Sequence, residues 1–204
     1  MYYILSNELQ KPKFDAKIEG ALLDSKGQLI PSAFGRGNSL RPAENNQYFI
    51  RINENFSRIG KLRDRLIVHI YHHQHLLVVS ERMQDMLHKM AFDQVELYPL
   101  TIDFNANIIS NYKIVNIVNK IDCVNYEKSE LDFEFYDKNN VGEGSIYTID
   151  SLVLDESLIP PNLNIFLLGR HEDSIIIVHE RLKEMICSHG FSGFIFCKPE
   201  EFQL

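Results

Sequence analysis

Two hydrophobic periods alternate along this chain. From Leu66 the runs LIVHIY and LLVVS are short, β-branched and aliphatic, the pattern of strands buried on at least one face. Ser80 then precedes ERMQDMLHKM, where Met83, Met86, Leu87 and Met90 fall at i, i+3, i+4 and i+7. That spacing lines one face of a three-turn helix and makes Ser80 its expected N-cap. VELYP returns to strand character and is expected to stop at Pro99, which has no N–H to give a ladder.

The same order recurs further on: NIFLL, RHEDS, IIIV, HERLKEMICSHG and FSGFIFCKP read as strand, turn, strand, helix, strand. A shift of 99 residues superposes His72 on His171, Val79 on Val178, Glu81 on Glu180, Arg82 on Arg181, Met86 on Met185 and Phe92 on Phe191. The second helix should bury Leu182, Met185 and Ile186 and end at Gly190, a natural left-handed terminator. The shared methionine and phenylalanine positions are expected in the core, and the agreement in element order marks an internal repeat.

Between the repeats, Tyr112 to Val118 reads as a strand, followed by a polar turn from Asn125 to Ser129. In LDFEFYD the period is two: Leu131, Phe133 and Phe135 share one face, Asp132, Glu134 and Tyr136 the other. SLVLDESLIPPNL supplies a further short strand and a proline-stopped turn. The first 65 residues are less regular, with strand-like runs only at Tyr2 to Leu5 and Gln47 to Ile52. The pattern as a whole predicts an α+β fold with a mixed, largely antiparallel sheet. It is built from two related strand–strand–helix–strand units, at about 66–99 and 165–199, within one domain spanning 1–204.

Charge changes this picture. The net charge is −7, and it is not spread evenly. Residues 121–156 hold ten acids and two bases, a net −8; the other 168 residues hold 18 acids and 19 bases, a net +1. Acid concentrated in this way argues against nucleic acid as a partner, since a phosphate backbone is met by Lys and Arg. It suits a basic protein partner and fast, salt-sensitive association. No apolar run approaches the ~20 residues that cross a bilayer, so no membrane is expected. The opening MYYILSNELQKPKF lacks the features of a secretory signal. Cys123, Cys187 and Cys197 are odd in number and widely spaced, which fits reduced thiols in a cytoplasmic protein.

Candidate chemistry is sparse. HIYHHQH gathers His69, His72, His73 and His75, and His69, His73 and His75 could converge on a metal as a small metal-dependent hydrolase would require. No carboxylate or thiolate stands near them, and at the repeat offset the segment falls on the turn RHEDS. A polar hairpin tip is the better reading, with no metal and no cofactor expected. The GRG at residues 35–37 lacks the strand before it and the Gly-Lys-Ser/Thr ending of a phosphate loop. Cys187 and His189 lie two apart on a helix and face differently, so nucleophile and base would not meet. Asp122 and Glu127 could be drawn as an acid–base pair, but solvated charge accounts for both. No enzyme is expected.

YKIVNIVNKIDCVNYEKSE, SLVLDESLIPPNLNIFLL and IIIVHERLKEMICSHGFSGFIFCKP together resemble a bacterial immunity protein family of polymorphic toxin systems, formerly a domain of unknown function. The resemblance covers about residues 66–204. Asn125 and Leu167 stand where that family usually carries aspartate and arginine. The resemblance implies a non-enzymatic protein that binds and neutralises a cognate toxin by occluding its active site or substrate channel. The acidic strand and its turn are the expected contact residues: Glu127, Glu130, Asp132, Glu134 and Asp137.

Overall fold

The structure, a computed structural model, describes residues 1–6, 18–24, 34, 36–37, 48–52, 63–70, 74–104, 107–134, 144–171 and 174–204. Among these the chain runs β1 (Tyr2–Leu5), β2 (Ile18–Leu23), β3 (Tyr48–Ile52), β4 (Arg65–Ile70), β5 (Gln74–Ser80), α1 (Gln84–Ala91), β6 (Val95–Phe104) and β7 (Asn107–Ile117). It continues through β8 (Lys120–Ile121), β9 (Glu130–Glu134), β10 (Ser145–Ser151), β11 (Ile165–Leu168), β12 (Ile176–His179), α2 (Glu180–Ser188) and β13 (Phe196–Cys197). Pairing is mostly antiparallel, with parallel ladders at β2–β4, β3–β6 and β8–β11. The class is α+β with mixed sheet, as the pattern predicts.

The two strand–strand–helix–strand units lie in separate sheets rather than around one. β4, β5 and β6 belong to a closed barrel ordered β2-β3-β6-β7-β5-β4; β11, β12 and β13 belong to a five-stranded sheet ordered β13-β1-β12-β11-β8. Each unit makes an antiparallel hairpin and returns through its helix to a last strand one place away. An antiparallel strand fills that gap: β7 between β5 and β6, and β1 between β12 and β13. The intervening strands come from different parts of the chain, so self-similarity in sequence stops at the units themselves.

A period of two distributes the side chains. Leu77, Val79, Val115 and Ile117 of the barrel cluster with Tyr3, Leu5, Ile165, Leu167, Ile176 and Val178 of the sheet, and with both helices. Alternate residues of the same barrel strands, among them Leu76, Val78, Leu100, Ile102 and Ile114, form the barrel's own core. Alternate residues of the sheet, including Ile4, Phe166, Leu168 and Ile177, pack with Ile146 and Ile149 of β10. Each fully buried aliphatic contributes roughly 1.5–3 kcal/mol. A one-residue slip in any of these strands would exchange the two cores, and so the register is strongly specified.

Several local details depart from the sequence reading. Residues 81–83 form a 3₁₀ turn before α1, and Ser80 makes no cap; its hydroxyl donates to Asp64 at 2.8 Å. Met83, Met86 and Leu87 are buried and Met90 is half-buried, as their spacing requires. Phe92 is 67% exposed, whereas its counterpart Phe191 packs against the core. β6 runs through Pro99 instead of ending there. The β3 ladder joins β6 only from Leu100, so the prolyl nitrogen sits where β6 has β7 alone beside it. In α2, Leu182 and Ile186 are buried and Met185 half-buried. Gly190 takes φ 63°, and the N–H groups of Gly190 and Phe191 return to the carbonyls of Cys187 and Ile186 at 3.1 and 3.3 Å. That is a Schellman stop.

Candidate functional site

The acidic stretch centres on the β9–β10 hairpin. Along β9, Glu130, Asp132 and Glu134 are exposed while Leu131 and Phe133 pack against the core beneath the sheet. Alternate positions on a strand repeat every ~6.7 Å, so three carboxylates form a line on the solvent side. The register sets a hydroxyl opposite each: Ser151 by Glu130, Thr148 by Asp132 and Ser145 by Glu134. Thr148 Oγ1 donates to Asp132 Oδ2 at 3.0 Å.

Seven residues of β10 oppose five of β9, and the ladder shifts register between Ile146 and Thr148 and between Ile149 and Ser151. Tyr147 and Asp150 are therefore the extra residues of two bulges. Both are exposed, Tyr147 by 66%. Bulges re-aim side chains and turn an edge away from further pairing. The result is a carboxylate line with a fourth acid and a large aromatic ring beside it. The sequence reading missed Tyr147 and Asp150. The signal was in SIYTIDS, where Ser145, Thr148 and Ser151 recur every third residue, a spacing that fits a strand only if it bulges.

The hairpin is anchored from below. Ile146 N–H donates to the Arg170 carbonyl at 2.7 Å, and Ile149 and Leu204 exchange two bonds of 3.0 and 2.9 Å. At its base, Asn125 N–H reaches Val153 O and Asp155 N–H reaches Cys123 O, both at 2.8 Å. Ser129 Oγ accepts from Val153 N–H at 2.9 Å and donates to Val153 O at 3.2 Å. Glu127 is exposed in the turn that leads into β9. Thus Glu130, Asp132 and Glu134 share one strand face, Glu127 precedes them, and Asp137 lies outside the described residues.

Asp122 belongs to a different set. Tyr126 donates its hydroxyl to Asp122 Oδ1 at 2.6 Å, and Arg170 stands 3.9 Å from Asp122 Oδ2 and 5.8 Å from the Tyr126 ring centre. Burial, then the bond to Asp122 and its charge, push the Tyr126 hydroxyl well above the usual phenol range. An acid–base role shared by Asp122 and Glu127 finds no support in this geometry, since Asp122 is committed to Tyr126 and Arg170.

The remaining candidates are scattered. β4 and β5 pair His69 directly opposite His75, and β5 begins at Gln74, so His75 stands in the ladder rather than at the hairpin tip. His72 and His73 lie outside the described residues. Among the described residues no three His, Cys, Asp or Glu come together as a metal-holding group. His171, expected in an exposed turn, is buried and bridges to Ile146 of β10; its carbonyl accepts from Lys120 Nζ at 2.8 Å. Cys123 is buried, and burial followed by the charge of Asp122 pushes its thiol up to about 12, far from a reactive thiolate. Cys187 is exposed, while His189 Nδ1 lies 2.9 Å from the Met185 carbonyl. No helix among the described residues is long and apolar enough to cross a membrane.

Comparison with known families matches residues 15–201 to the model of an immunity protein family, Imm11. No curated protein matches the chain.

Proposed function

The chain belongs to the immunity protein family Imm11, and from that membership we propose that it binds a cognate bacterial toxin and neutralises it by stoichiometric occlusion. The observation that carries the contact assignment is the exposed line Glu130, Asp132 and Glu134 on an anchored hairpin, extended by Asp150 and flanked by Tyr147. A rigid acidic surface fits a toxin whose active site or substrate channel is basic. Charge of one sign raises the rate of encounter, while an exposed tyrosine supplies the amphipathic area that interface centres favour. Because β10 is held by bonds to Arg170 and Leu204 and the Val124–Leu154 bridge closes the base below both strands, the paired part of the hairpin needs little ordering on binding. Glu127, exposed before β9, extends the proposed contact, and Asp137 is included in it by its place in the acidic sequence.

The protein acts by occupancy and not by catalysis. It works in the cytoplasm of a cell that makes or meets the toxin, as one half of a polymorphic toxin system used in competition between bacteria. Neither nucleic acid nor membrane is a partner. The test is co-expression with the toxin encoded beside it. Growth should be restored and the two chains should purify together in equal numbers. Rescue at a catalytic ratio, with toxin altered and no complex formed, would instead indicate an enzyme.

A further inference from the structure

α2 begins at a histidine. The first N–H groups of a helix find no acceptor within it, and His179 supplies one: its Nδ1 accepts from the backbone N–H of Arg181 at 3.1 Å. The Nε–H of Arg181 reaches the same nitrogen at 3.2 Å, while Nη2 of that guanidinium donates to the Pro161 carbonyl at 3.1 Å. Both groups facing Nδ1 only donate. Nδ1 therefore carries its lone pair, and the proton of the neutral ring sits on Nε2. Glu180 N–H, next to the cap, donates to the Met1 carbonyl at 3.0 Å. β1 pairs Tyr2 with His179, and the Tyr2 ring stands edge-on to the imidazole at 4.9 Å. One side chain thus lies where α2, β1 and the segment before β11 meet.

The charges around it are few. Arg181 and the amine of Met1 oppose a positive imidazole; Glu156, 3.7 Å from that amine, and Glu180 favour one. Burial acts first and in the same sense as the two cations, and together they hold His179 below the usual imidazole range. The positive end of the helix dipole works in that direction too.

We propose that His179 is a pH-sensitive N-cap, which holds the first turn of α2 and the guanidinium of Arg181 when neutral and releases both when protonated. Protonation turns Nδ1 from acceptor to donor, so it would face two other donors at the positive end of a helix. A depressed value means that the folded chain binds this proton less readily than the unfolded chain. The stability contributed is therefore whole above ~6.5, the ordinary imidazole value, and is lost as the pH falls below it towards the folded value. At the equivalent place in the first unit stands Ser80, whose hydroxyl does not titrate in this range and makes no cap, so the device belongs to the second unit.

Denaturation of the wild-type chain, His179→Asn and His179→Ala, at about pH 7.5 and about pH 5 on either side of the imidazole range, tests this. Asn keeps an acceptor that does not titrate. Between the two pH values the wild type should lose about fivefold more of its folded-to-unfolded ratio than His179→Asn, the usual worth of an N-cap. His179→Ala should be weaker than the wild type at the higher pH and equal to it at the lower. Ring-nitrogen NMR of the wild type should report the Nε2–H tautomer and a midpoint below that of free histidine. Parallel pH dependences for wild type and His179→Asn, or a midpoint at or above the free value, would overturn the proposal.

Discussion

Asp64 gathers bonds from two serines and the charge of an arginine, and none of these is legible from its neighbours in sequence. It accepts from Ser192 N–H and Ser192 Oγ, both at 2.9 Å, and from Ser80 Oγ at 2.8 Å, with Arg82 3.6 Å away. Burial works to raise its pKa, but the bonds from Ser192 and Ser80 and the charge of Arg82 outweigh it and hold the carboxyl below its usual range. Because Ser192 is 128 residues distant, Ser80 reads as a plain N-cap until the tertiary structure supplies Asp64 as a competitor for its hydroxyl. Hydrogen bonds to a charged group are worth ~1.5–3 kcal/mol each before solvent screening, and Asp64→Ala should cost about 2 kcal/mol in urea denaturation. A depressed carboxyl gives stability that is present above ~3.9 and lost as the pH falls through the folded value. The wild type should thus destabilise in acid more steeply than Asp64→Asn.

Elements were more legible than their ends. Both helix faces follow from spacing, because i, i+3, i+4 periodicity is a local property that burial only confirms. The stop at Gly190 was equally local. By contrast, β6 continues through Pro99 because of where a neighbouring strand begins, and Phe92 escapes the core although its repeat partner Phe191 does not. The bulges of β10 hid a strand face that strict alternation could not place. Two glycines separate backbone strain from steric clash. Gly190 has φ 63° with open space around an added Cβ, so Gly190→Ala should cost ~1–2 kcal/mol, the penalty of the left-handed region alone. Gly193 has φ 87° and would set a Cβ 2.5 Å from the Arg65 carbonyl oxygen, across the junction of β4 with the C-terminal segment. Gly193→Ala should therefore lower the melting temperature distinctly more than Gly190→Ala.

At the scale of the molecule, the sequence showed two units but not that they occupy two sheets. Barrel closure depends on β2 and β3, whose segments carry weak local signals, and on parallel ladders that no short window can reveal. The first 65 residues read as less regular, with strands only at Tyr2 to Leu5 and Gln47 to Ile52, yet β1 lies inside the five-stranded sheet and β2 and β3 complete the barrel. Charge was the global property that the sequence did disclose. The excess acid of residues 121–156 reaches the surface on β9 and β10, over a packed underside that keeps the hairpin in place. The central claim is that this acidic face holds the toxin. The most direct test titrates the cognate toxin with wild-type protein and with the double variant Asp132→Lys, Glu134→Lys over a range of salt. Reversal of two charges should weaken binding by roughly tenfold or more at low salt, mainly through slower association, and flatten the salt dependence. An unchanged Kd with an unchanged salt dependence would contradict the account.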